Sequence, residues 1–334
     1  MSAAIAGGLT LVLLAGIFQG IFLLPMDRTR GWTWEQNWLG FSLFGMILFN
    51  WLITGLTIPQ ILDIYRSVPA NDLLLLLLFG LGWGLGAVLF GLGMARLGLA
   101  LGYPIIMGLI AALGALVPLL VFFPGMLATL KGGLILGGML VVVIGILLCS
   151  RAGARKGGTG IVARASLTTG LMIAVAAGVL SSLPNIGMAF ATRVIAIAGV
   201  QGVAPSLAGN VVWALFFTAG FAVNAAYCLY LMARGKSGSL FNAHAARNLF
   251  FTALMGFFWI GSFYAYGIGA ARLGPLGPVI GWPLFIASSI LVGNLVGLWR
   301  GEWRNAPSAA RRLLAQGLVV LLAAVGLIAV SGTF

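Results

Sequence analysis

Ten stretches of about twenty mostly apolar residues follow one another along this chain, each the length needed to cross a bilayer as a helix. They fall near residues 2–25, 38–60, 73–93, 98–122, 132–150, 167–192, 207–232, 248–270, 275–299 and 313–331. Inside lipid only a helix or a closed barrel satisfies every backbone polar group, so each stretch is predicted to be a spanning helix. The composition agrees, with 61% hydrophobic and 7% charged residues. Fifty glycines would weaken soluble helices, whereas between membrane helices they let backbones approach closely. The expected fold class is all-α, a polytopic membrane protein of ten transmembrane helices. The first stretch is read as a spanning helix and not a cleaved leader, because its basic residues, Arg28 and Arg30, follow it.

The chain also repeats itself. Trp83–Gly98 reads WGLGAVLFGLGMARLG and Trp259–Gly274 reads WIGSFYAYGIGAARLG, an offset of 259 − 83 = 176 residues. Gly8, Leu9 and Gly16 are echoed by Gly170, Leu171 and Gly178, and Asn50 by Asn224. Two related halves are the layout of many secondary transporters. The expected organisation is a five-helix repeat over 1–150, a cytoplasmic linker over 151–166 and a second repeat over 167–334. Because five is odd, the two copies are expected to be inverted.

Of the 18 Lys and Arg, only Arg66, Lys131, Arg193 and Arg272 fall on or near the loops after even-numbered segments. The positive-inside rule then puts the other side in the cytoplasm and both termini outside, in a bacterial inner membrane. Scattered charges of this kind describe topology, and no nucleic-acid partner is expected despite the net charge of +13. Cys149, Cys228 and the lone His244 have no metal-ligand spacing, so no metal and no cofactor are expected.

Polar and aromatic residues inside the spans must find partners within the bundle or line a wet pathway. The sixth segment places Gly178, Ser181, Ser182 and Asn185 on one face, with Pro184 there to loosen the helix. The seventh aligns Asn210, Trp213 and Asn224, and the eighth Trp259, Ser262 and Tyr266; Trp83 is the counterpart in the third. Gln19, Asn50, Trp51, Tyr103, Trp282 and Asn294 complete the set. The expected substrate contacts are Gln19, Asn50, Trp83, Ser181, Asn185, Asn210, Trp213, Asn224, Trp259, Ser262, Tyr266 and Trp282. Amides and hydroxyls with aromatic rings and no fixed charge suit a neutral sugar.

The five acidic residues, Asp27, Glu35, Asp63, Asp72 and Glu302, all lie at loops or helix ends. Proton-coupled carriers usually keep a titratable group in the pathway. Glu35, at the mouth of the second segment, is the nearest candidate for proton coupling, set against a purely structural role there. A membrane-embedded enzyme would need an acidic, His or metal-ligand cluster, and five dispersed carboxylates supply none; no catalytic residue is expected.

Several motifs together resemble the bacterial L-rhamnose–proton symporter family. They are Trp32-Thr33-Trp34-Glu35-x-x-Trp38, Phe79-Gly80-x-x-Trp83-Gly84-x-Gly86, Arg151-Ala152-Gly153, Trp259…Phe263…Tyr266 with Ala271-Arg272, and Gly301-Glu302-Trp303-x-Asn305-Ala306. The resemblance covers nearly the whole chain in order. It implies the drug/metabolite transporter superfamily, ten helices in two inverted repeats, and uptake of a sugar, L-rhamnose first, with a proton. A monomer or homodimer in the lipid bilayer is expected. The alternative left open is a related permease or exporter of another small metabolite, without obligatory proton coupling.

Overall fold

The computed structural model describes residues 3–157 and 164–331. Ten helices in it are long and apolar enough to span a membrane: α1 Ala3–Arg28, α2 Trp34–Thr57, α3 Ala70–Leu97, α4 Leu101–Phe122, α5 Leu130–Lys156, α6 Leu167–Phe190, α7 Pro205–Gly235, α8 Ala245–Arg272, α9 Gly274–Trp299 and α10 Ser308–Val330. The fold is all-α, as the hydrophobic pattern implies. The expected linker is helical at both ends, through Gly157 and again from Arg164, while residues 158–163 lie outside the described residues. Large apolar side chains such as Leu78, Leu140, Met172, Leu229, Phe250 and Val319 point outward and exposed. A surface of that kind is stable against lipid and not against water.

Helix ends follow local chemistry. At the start of α2 the Thr33 amide donates to Gln36 Oε1 at 2.8 Å, half of a capping box, and Gln36 Nε2 reaches Ser237 O at 2.7 Å. Within α2, residues Leu43–Phe49 wind as a π-helix, a wide turn that the sequence pattern does not announce. α6 breaks at Ser182, between Ser181 and Leu183. Pro184 has no N–H to give the preceding turn, and Ser182 Oγ donates to Val179 O at 2.6 Å there. α3 and α4 fold back on each other. A methyl built on Gly93 would lie 3.3 Å from Ile106 Cδ1, whereas a straight helix would hold those residues about 20 Å apart.

With hydrocarbon on all sides, helices associate through close packing of small residues and interhelical hydrogen bonds. α1 packs on α8 and α9, α6 on α3 and α4, α3 on α7, α2 on α8, and α5 on α10. Several of these crossings are glycine on glycine, α3 on α7 and α8 on α2 among them. A methyl on Gly84 would lie 2.8 Å from Gly220 O (α3 on α7), and one on Gly256 would lie 2.6 Å from Gly45 N (α8 on α2). Any side chain at either crossing would force the helices apart. The face carrying the loops after even-numbered helices, called the even face below, is closed by polar ties. Gln60 Nε2 donates to Gln201 O at 3.1 Å, Gln201 Nε2 to Ser67 Oγ at 2.5 Å, and Arg193 Nε stands 3.7 Å from Asp72 Oδ2.

Candidate functional site

A cavity of about 640 Å³ enters the bundle between α1, α8 and α9 on one side and α3, α4 and α6 on the other. Its floor lies at mid-helix, where Trp83, Trp259, Trp282, Ser181 and Pro184 converge. It reaches the opposite, odd face past Trp34 and Trp38 of α2, Cys149 and Gly153 of α5, Asn294 of α9 and Trp303 of the α9–α10 loop. None of its lining residues comes from the loops of the even face.

The floor is aromatic. Trp83 and Trp259, the two tryptophans that correspond in the internal repeat, stack with centroids 5.6 Å apart and ring planes 26° apart. Phe217 braces Trp259 edge-on at 4.7 Å, and Phe263 packs on both. At the mouth Trp34 and Trp38 stack at 5.1 Å. Trp38 is anchored by its indole N–H to Asn224 Oδ1 at 3.0 Å. Trp282 lies across Gly114 and donates to Ile110 O at 2.8 Å. A methyl on Gly114 would fall 2.2 Å from the Trp282 indole nitrogen, so only glycine admits the ring in that position.

Polar groups are few and uncharged. Gln19 Oε1 accepts from Ser262 Oγ at 2.9 Å, which leaves its amide N–H groups without a partner among the described residues. The Ser181 and Tyr103 hydroxyls likewise have none there, and Asn294 uses only its amide nitrogen, on Ile290 O. The lining contains no Asp, Glu, Lys, Arg or His. The charges sit outside, at the rim. Arg300 pairs with Asp27 at 2.6 Å and approaches Glu302 at 4.0 Å; Lys156 stands 3.9 Å from Glu302 and 4.8 Å over the Trp303 ring.

Of the twelve contacts expected from sequence, five line the cavity: Gln19, Trp83, Ser181, Trp259 and Trp282. The other seven are not among its lining residues, and most of them tie one helix to another. Asn50 Nδ2 donates to Trp213 O at 3.0 Å, and its Oδ1 accepts from Tyr264 at 2.9 Å. Asn185 Nδ2 donates to Gly114 O at 2.6 Å and to Pro278 O at 2.8 Å, while its Oδ1 accepts from Tyr266. Asn210 Oδ1 accepts from Trp213 Nε1 at 3.1 Å. Asn224 serves Trp38 and the Gly220 carbonyl, and Ser262 serves Gln19 and the Trp259 carbonyl. Glu35 is absent from the lining and accepts from Ser237 Oγ at 2.8 Å, beside Trp34 at the mouth. Sequence reasoning passed over Met94, Met107, Ile110, Phe263, Phe285 and Ser289, which the wall includes. No periodic signal separates a wall methionine from a lipid-facing one.

A bundle of ten apolar helices around an uncharged, aromatic-floored pocket at mid-helix is an architecture suited to small-molecule membrane transport. The chain belongs to the L-rhamnose-proton symport protein family, whose model it matches over residues 1–332. It is similar to proteins named L-rhamnose-proton symporter from Citrobacter koseri, at 30% identity over 338 residues and 98% of both chains. Similar proteins of that name come from Shigella dysenteriae serotype 1, 30% identical over 340 residues and 99% of both chains, and from Escherichia coli strain 55989, 29% identical over 340 residues and 99% of both.

Proposed function

We infer that this chain takes up L-rhamnose together with a proton by alternating access, binding the sugar in the mid-membrane cavity. Membership of the symport family over the full chain carries this reading, and the chemistry of the pocket supports it. Gln19 and Ser181 offer hydrogen bonds to hydroxyls. The Trp83, Trp259 and Trp282 rings offer faces to the C–H side of a pyranose, and no charge selects an ion. Asn50, Asn185, Asn224, Ser262 and Tyr266 act from behind this layer by fixing the helices that carry it, and Asn210 and Trp213 bond each other within α7.

The halves 1–150 and 167–334 are two copies of one unit, inverted in the membrane. Exchanging each helix for the one five places on leaves the packing plan unchanged: α1 on α8 becomes α6 on α3, α1 on α9 becomes α6 on α4, α2 on α8 becomes α7 on α3, and α5 on α10 maps onto itself. Glycines obey the same exchange. Gly8 meets Gly269 of α8 while Gly170 meets Leu97 of α3; Gly16 meets Ser288 of α9 while Gly178 meets Leu109 of α4. The stacked Trp83 and Trp259 straddle the pseudo-two-fold axis. The odd face, with most of the Lys and Arg, is cytoplasmic, in the bacterial inner membrane, and both termini are periplasmic. The cavity is then the inward-open site. One chain encloses it, so a monomer is sufficient.

Glu35 is the proton-coupling group of this reading. It joins the start of α2 to Ser237 of the α7–α8 loop, and a proton on it would alter a contact between the halves at the cavity mouth. The lack of any carboxylate in the wall favours a second reading, a permease of the same site without obligatory coupling. Proteoliposomes separate the two. Rhamnose accumulation that needs an inward proton gradient and collapses with an uncoupler is expected, with Glu35→Gln retaining exchange but losing accumulation. Uptake indifferent to the gradient, or accumulation of no sugar under either condition, refutes coupled rhamnose uptake and shifts the weight to the second reading.

A further inference from the structure

Helices α4 and α9 carry a further repeat, and its two copies are packed differently. Gly102-Tyr103-Pro104 of α4 matches Gly281-Trp282-Pro283 of α9, and Gly114 matches Gly293, at one offset of 282 − 103 = 293 − 114 = 179 residues. Toward the even face α9 lies on α4. Trp282 covers Gly114 and donates to Ile110 O at 2.8 Å, Tyr266 packs edge-on against the indole at 5.5 Å, and Asn185 bonds both Gly114 O and Tyr266. Toward the odd face the corresponding four positions stand apart. They are Tyr103 for Trp282, Gly293 for Gly114, Phe90 for Tyr266 (266 − 90 = 176) and Leu23 for Asn185 (185 − 23 = 162). All four line the open cavity. Among the described residues a methyl built on Gly293 would meet only Gly20 O, at 3.6 Å, an ordinary contact.

We propose that Tyr103, Gly293, Phe90 and Leu23 are the seal of the odd face in the opposite access state. As α4 and α9 pivot on each other, the Tyr103 ring seats on Gly293, its hydroxyl donates to Ser289 O (the counterpart of Ile110, 289 − 110 = 179), and Phe90 closes on Leu23. This rests on the alternating-access reading above and supplies the contacts that reading lacks. A ring can lie against a helix backbone only where no Cβ fills the space, which is why Trp282 needs glycine at 114. Gly293 has no such use in the present state, where the space above it is open, and glycine inside a helix is otherwise destabilising relative to alanine. Its place in α9 is explained by a ring that arrives in the other state. The Tyr103 hydroxyl, unpartnered among the described residues, gains its acceptor in the same movement. The two seals differ in kind. Asn185 ties the even one with hydrogen bonds to Gly114 O, Pro278 O and Tyr266, whereas the side chains of Leu23 and Phe90 have no polar atom to form equivalents. The odd seal rests on ring packing and one tyrosine bond.

Gly293→Leu tests the seal in proteoliposomes of the full chain. The leucine extends into open space here, so the thermal midpoint in detergent should equal that of wild type, while Tyr103 loses its seat. L-Rhamnose uptake should fall about tenfold or more, because the opposite state is overpacked. Alkylation of Cys149, which lines the cavity, by an impermeant maleimide should hold its rate or rise, by up to about twofold from states of equal occupancy. Added to Asn185→Ala, Gly293→Leu should return a slowed alkylation to the wild-type rate, whereas a leucine that merely obstructs the mouth would slow it further. If the leucine lowers the midpoint, Gly293→Ala takes its place, with the same changes expected at smaller size. Unchanged uptake in the folded variant, or uptake and alkylation falling together, overturns the seal and leaves the transport reading standing. A wild type that carries no L-rhamnose overturns the transport reading, and the alkylation rates then decide the seal alone.

Discussion

Asn185 ties four helices together on the far side of the cavity, and removing its amide should release the closed face. Its Nδ2 reaches Gly114 O of α4 at 2.6 Å and Pro278 O of α9 at 2.8 Å, and its Oδ1 accepts from Tyr266 of α8. The Gly114 carbonyl needs this donor, because the residue four positions on is Pro118, inside the helix and without an N–H. Asn185 is fully buried, so water does not replace it. Interhelical hydrogen bonds in membranes average about 0.6 kcal/mol and buried ones in general about 1. Three such bonds therefore hold this face shut by about 2–3 kcal/mol, and opening toward the even face must exchange them.

Asn185→Ala is then expected to move the equilibrium between the two access states by roughly thirtyfold or more, since 1.4 kcal/mol is a factor of ten. For states of equal starting occupancy, the population with the present cavity would fall from half to about 3%. Tyr266→Phe, which removes one bond of the three, should shift it only about threefold. Cys149 reports the change because it lines the cavity, while Cys228 is buried elsewhere in α7 and serves as the internal reference. Alkylation of Cys149 by a membrane-impermeant maleimide should slow by an order of magnitude in Asn185→Ala, and uptake should fall with it. Unchanged alkylation and unchanged uptake in Asn185→Ala would refute the latch.

Gly114→Ala should lower the thermal midpoint in detergent by an amount matching about 1–3 kcal/mol of overpacking, because its methyl would meet the Trp282 indole; an unaltered midpoint would show that the ring has room to move. Gln19→Ala should raise the KM for sugar about five- to tenfold, the worth of one hydrogen bond of about 1 kcal/mol, beyond any small loss of stability from the missing Ser262 bond; a KM like that of wild type removes Gln19 from the site. Asp27→Asn breaks the rim pair with Arg300, which is partly exposed on both sides. Exposed pairs of that kind contribute little, so uptake should change less than about fivefold, and less again in high salt; a larger, salt-independent loss would make the rim part of the transport mechanism.

The sequence by itself determined the ten helices, because the requirement that every buried backbone group be bonded within lipid leaves an apolar twenty-residue stretch no other regular structure. It also determined the kind of ligand the interior suits, since scattered amides, hydroxyls and rings with no mid-membrane charge were legible residue by residue. The Trp83 and Trp259 motifs were visible as a sequence repeat, and their stacking against each other followed only from how α3 and α8 are placed in the bundle.

Tertiary structure decided which polar residues face the cavity. Ser181 and Asn185 share one face of α6 at a spacing of four, yet the break at Ser182 leaves Ser181 on the wall and turns Asn185 onto the backbones of α4 and α9. The same holds for Asn50, next to a π-turn in α2, and for Trp213, whose indole closes on Asn210. In a membrane an amide gains as much by satisfying a carbonyl stripped of its donor as by touching a solute. Periodicity counts both as interior polar positions. Only the packing of neighbouring helices, with their prolines and missing N–H groups, decides which of the two a given amide serves.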